Sequence, residues 1–73
     1  MTEYQKKKAE YVAGALAAAV TVIANVSGLE YFIDRGEEFV KLTYDNGHSV
    51  NICVTADSLA ATAHDVFKYI MCH

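Results

Sequence analysis

Sixteen residues from Tyr11 to Val26 carry no charge, and from Leu29 to Val54 the chain changes to a largely alternating order of apolar and polar positions. In the first stretch Val12, Leu16, Ala19, Val20, Ile23 and Val26 recur at helical spacing, and Tyr11, Ala15, Ala18 and Val22 widen the stripe. Ala, Leu, Glu and Lys are strong helix formers, and Ser27-Gly28 offers a stop with glycine at a left-handed position. The pattern predicts a helix over 3–26. Being apolar around most of its circumference, such a helix is expected to be covered on more than one side.

The alternating region predicts strands over 29–34, 37–44 and 48–54. Cross-strand partners must share a face of the sheet, so the pattern tests each register. A two-residue Asn46-Gly47 turn would set Leu42 against Asn51. A three-residue Asp45-Asn46-Gly47 loop with Gly47 left-handed instead pairs Leu42 with Val50 and Val40 with Ile52. In the first hairpin an Arg35-Gly36 turn pairs Leu29 with Leu42, Tyr31 with Val40 and Glu30 with Lys41. The inner face then holds Leu29, Tyr31, Ile33, Val40, Leu42, Tyr44, Val50, Ile52 and Val54.

A second helix is predicted over 56–71, capped by Thr55 or Asp57 and buried along Leu59, Ala63, Val66, Phe67 and Ile70. The expected fold is α+β: one domain, residues 1–73, of two-layer αβββα order, a three-stranded antiparallel meander with both helices on one face.

The same register predicts the other face. Phe32 falls opposite Phe39 and Phe39 opposite Cys53, with Glu30, Lys41, Thr43, Ser49 and Asn51 around them. A sheet face left open to water is expected to be polar. Two phenylalanines and a cysteine across three strands read instead as a contact surface, although a cross-strand aromatic pair also stiffens a hairpin by itself.

Composition narrows the function classes. A chain of 73 residues builds one small core of marginal stability, which another subunit commonly supplements. Two cysteines, Cys53 and Cys72, do not make a disulfide framework and suit a reducing, cytoplasmic setting. A net charge of −3 argues against a nucleic-acid or anionic-membrane binder. Lys6-Lys7-Lys8 ahead of the apolar run resembles the layout of a secretory signal, with Val22-Ile23-Ala24 as a cleavage site. Glu10 interrupts that layout, and the run is too short for a bilayer core that needs about 20 apolar residues. The lysines read as a solvated first turn, and a membrane anchor over 6–26 is the least favoured reading.

No constellation names a chemistry. Cys53, Cys72, His48, His64 and His73 are metal-ligand types, but no Cys-x-x-Cys pair occurs. His48 and Cys53 are five residues apart on one strand and point to opposite faces, which excludes a direct nucleophile and base pair. No glycine-rich phosphate loop is present. The chain is therefore expected to be non-enzymatic, without metal or cofactor. Its function is expected to be protein interaction, by self-association as a homodimer through Phe32, Phe39, Cys53, Lys41 and Asn51 or through the Ala-rich first helix. The alternative is an acidic inhibitor or adaptor, of the kind phage and mobile elements encode, that meets a basic, nucleic-acid-binding host protein through Asp34, Glu37 and Glu38 at the first hairpin tip.

Overall fold

A computed structural model describes residues 1–23 and 25–72. The elements are α1 (Glu3–Tyr11), a π-helical stretch (Val12–Leu16), α2 (Ala17–Val20), β1 (Val26–Asp34), β2 (Glu37–Tyr44), β3 (Ser49–Cys53) and α3 (Leu59–Cys72). The first three form one continuous rod. The strands form an open antiparallel sheet in the order β1-β2-β3. This is the expected α+β architecture with αβββα order. Ala24, the last residue of the candidate cleavage site, and His73 lie outside the described residues.

The rod begins with a capping box. The Gln5 N–H donates to Thr2 Oγ1 at 3.1 Å, and the Thr2 N–H donates to Gln5 Oε1 at 2.9 Å. Its buried side chains are Lys8, Val12, Leu16 and Val20, each four residues on from the last. In an α-helix of 3.6 residues per turn, three such steps drift by about 120°. The wider π turn turns less per residue and takes up that drift, so all four face the sheet. Ala13, Gly14, Ala15, Ala18 and Ala19 lie on the exposed side, so the rod is covered on one side only.

The helix ends at Val20, six residues before the expected end. β-Branched Thr21 and Val22 are weak helix formers, and the Thr21 hydroxyl donates to the Ala17 carbonyl at 2.9 Å. The chain then turns at Asn25, whose φ of 77° supplies the left-handed residue expected of Gly28. Ser27 and Gly28 belong to β1 instead. Val26 starts that strand opposite Tyr44, across an irregularity between Val26 and Gly28. Val22 is 84% exposed and contributes nothing to the buried stripe.

Both hairpin registers are those derived from the pattern. Leu29 pairs with Leu42, Glu30 with Lys41, Tyr31 with Val40 and Phe32 with Phe39. Phe39 pairs with Cys53, Val40 with Ile52, Lys41 with Asn51 and Leu42 with Val50. Arg35 and Gly36 have φ of 54° and 79°, the positive pair of a tight primed turn. In the three-residue loop Gly47 has φ of 91°, and its N–H donates to the Tyr44 carbonyl at 3.0 Å.

Helix α3 is capped by Ser58, not by Thr55 or Asp57: the Ala61 N–H donates to Ser58 Oγ at 3.0 Å. Thr55 is occupied elsewhere, accepting from the Glu38 N–H at 2.9 Å. Val66 is fully buried, while Leu59, Ala63, Phe67 and Ile70 are half-buried. Thr62 is also buried, its hydroxyl donating to the Ser58 carbonyl at 2.9 Å. The core joins Val12, Leu16 and Val20 from the rod and Val66 from α3 to Val26, Val40, Leu42 and Val54. Helix residues from both ends of the chain meet the same inner sheet face, so the other face stays open.

Candidate interaction surface

On the open face, Phe32 and Phe39 stack with ring centroids 5.4 Å apart and planes 22° from parallel. Both rings remain half-buried, because each shelters one side of the other while no second layer covers them. Cys53, opposite Phe39 on β3, is a free and exposed thiol whose Sγ lies 3.5 Å from Thr55 Oγ1. Lys41 stands between Glu30 and Asn51 across the three strands, and all three are exposed. The structure thus brings together all five residues of the expected contact surface. Glu30, Phe32, Lys41, Ser49 and Asn51 outline one shallow concavity on it.

The first helix offers a different surface of Ala13, Gly14, Ala15, Ala18 and Ala19, with Val22 beyond its end. Burying a methyl group returns far less than burying a phenylalanine, which contributes roughly 1.5 to 3 kcal/mol. A contact through the sheet face would therefore return more per side chain than one through the alanines.

The acidic tip does not form the expected triad. Asp34 and Glu37 are exposed beside Arg35, but Glu38 faces the other way. Its position opposite Ile33 puts it on the inner face, where its Oε1 lies 2.8 Å from Lys8 Nζ. Lys8 is itself fully buried, not part of a solvated first turn; Lys6 and Lys7 are exposed. The Lys8 ammonium also donates to the Val54 carbonyl at 3.0 Å and lies 5.5 Å from the Tyr4 ring centre. The Tyr31 hydroxyl donates to the same Glu38 Oε1 at 2.7 Å.

Burial alone raises the Glu38 carboxyl, but the bonded Lys8 ammonium and Tyr31 hydroxyl, helped by the Ala56 N–H, outweigh it and hold the group below its ordinary value. Burial and the bond to that carboxylate push the Tyr31 hydroxyl well above the ordinary phenol range. Nearby, hydrogen bonding to Asp65, with burial, raises the Asp57 carboxyl above its ordinary value. Asp57 Oδ2 is a buried oxygen with no hydrogen-bond partner. Ala56, at φ 65°, joins this cluster in a left-handed conformation that an alanine adopts only at a cost. The cluster fastens α1 to β2 and to the segment before α3. Its signal in the sequence is the combination of Lys8 four residues before Val12 with Glu38 opposite inner-face Ile33.

His48 is exposed in the loop before β3 and His64 is exposed on α3, and the Cys72 side chain lies outside what the structure describes. Among the described residues no group of three or more His, Cys, Asp or Glu is placed to hold a metal ion. No helix of the described chain is long and apolar enough to cross a membrane. Known proteins add nothing to this: no family matches the chain, nor does any curated protein or solved structure.

Proposed function

We propose that this protein is a small non-enzymatic interaction domain that self-associates through the open face of its sheet, in the cytoplasm. The observation that carries the reading is the Phe32–Phe39 stack, half-buried at the centre of an otherwise uncovered sheet face. Charge is compatible with a second copy as the occupant, because Glu30 and Lys41, cross-strand partners on this face, neutralise each other within each copy. Such an interface is isologous, with the aromatic pair at its centre and the polar residues at its rim. The exposed Cys53 thiol supports a reducing compartment.

The double variant Phe32→Ser with Phe39→Ser tests this. It is expected to lower the solution mass while the far-ultraviolet circular dichroism keeps its helical signal. An unchanged mass with the fold intact removes the sheet face from the assembly.

A further inference from the structure

We infer that the free edge of β3 is a second self-association surface, on which two copies pair antiparallel about Asn51. The phase of the β2–β3 ladder comes from its two ends. The Tyr44 N–H donates to the His48 carbonyl at 2.8 Å, and the Val54 N–H donates to the Glu38 carbonyl at 2.9 Å. Antiparallel ladders alternate, so the backbone groups of residues 48, 50, 52 and 54 serve β2. Those of Ser49, Asn51 and Cys53 point outward, and among the described residues no strand lies beyond β3 in the sheet. All three residues are exposed.

The two edges of this sheet are unlike. β1 carries Glu30 and Asp34 and an irregularity near Gly28, features that discourage pairing with another chain. β3 is Ser-Val-Asn-Ile-Cys, with no charge and no proline, and its register with β2 is unbroken. It is also self-complementary. With Asn51 opposite Asn51 of a second copy, Ser49 meets Cys53 and Cys53 meets Ser49, so each outward N–H and carbonyl of the three residues finds a partner. The absence of charge means that the two-fold axis brings no like charges together.

This pairing is independent of the face contact but compatible with it. Its two-fold axis is normal to the sheet, so both open faces end on one side and both helical layers on the other. The result is a six-stranded sheet with two Phe32–Phe39 pairs on one apolar surface. A five-residue edge is a small contact beside the roughly 800 Å² per partner of a standard interface. Stacking two such sheets by the face contact adds the rest and closes a tetramer of dihedral symmetry, with no edge of β3 left free.

Amide hydrogen exchange on the intact wild-type protein tests the edge directly. The amides of Ser49, Asn51 and Cys53 are expected to exchange at least ~10-fold more slowly at high than at low protein concentration, because the bonds exist only in the assembly. Asn51→Pro removes an N–H that the isolated fold does not use and is tolerated on an edge strand. It is expected to halve the assembled mass and to speed exchange of the Ser49 and Cys53 amides, whereas Asn51→Ala, which keeps the N–H, leaves those two amides slow. Exchange of all three amides at the rate of unprotected backbone, even at high concentration, overturns the inference, as does an unchanged mass for a folded Asn51→Pro. The face contact fails separately, through the phenylalanine variants alone.

Discussion

Lys8 Nζ and Glu38 Oε1 lie 2.8 Å apart, with the lysine side chain wholly buried and that of the glutamate 9% exposed. The pair ties the first helix to the central strand, in the layer between helices and sheet. Breaking one partner of a buried pair leaves an uncompensated charge and costs about 3 to 5 kcal/mol. Lys8→Met is expected to destabilise by that order. Lys8→Met with Glu38→Gln is expected to recover most of the loss, because no buried charge remains. Urea denaturation of the two variants measures the difference.

The pH dependence of stability divides between two carboxyl groups. Glu38 is held low in the folded state, so its contribution is complete above the ordinary glutamate value near ~4.3 and is lost as pH falls through the folded value. Asp57 is raised by its bond to Asp65, so its contribution is complete in acid and is lost as pH rises through its folded value. Asp57→Asn supplies a donor to Asp65 without a second charge. It is expected to stabilise the fold by about 0.5 to 1 kcal/mol at neutral pH, with the gain disappearing in acid. Denaturation midpoints of wild type and variant across that range check the sign.

Backbone conformation gives three substitutions of opposite sign. Ala56 and Gly47 both lie at positive φ, but only one of them is a glycine. A left-handed non-glycine residue costs about 1 to 2 kcal/mol, so Ala56→Gly is expected to stabilise and Gly47→Ala to destabilise by about 1 kcal/mol each. Gly14 lies in the helical rod, and a Cβ added there meets nothing within 4 Å. Gly14→Ala is expected to raise stability by about 0.5 to 1 kcal/mol. Thermal midpoints of the three variants suffice.

The sheet was legible in the sequence because the period of a strand is two. A slip of one residue moves every side chain to the wrong face, so Leu42 with Val50 and Tyr31 with Val40 admit one register each. The make-up of the open face followed from that register. The first helix was less legible: a run of alanine and valine contains no internal stop, and the left-handed turn fell to Asn25 while glycine stood three residues further on. Lys8 and Glu38 were hidden for a related reason. Charge normally marks the wet side of an element, and a pair that buries itself is seen only when both partners are placed on facing sides at once. Ser58, as cap, was obscured by Thr55 and Asp57, two equally good capping residues close before it.

Self-association is the central claim, and the solution mass of the intact protein tests it most directly, by light scattering over a dilution series at moderate salt. The account predicts a mass near four times 8.0 kDa at high concentration, falling to twice that unit on dilution as one of the two contacts opens. A constant 8.0 kDa at every concentration would contradict it.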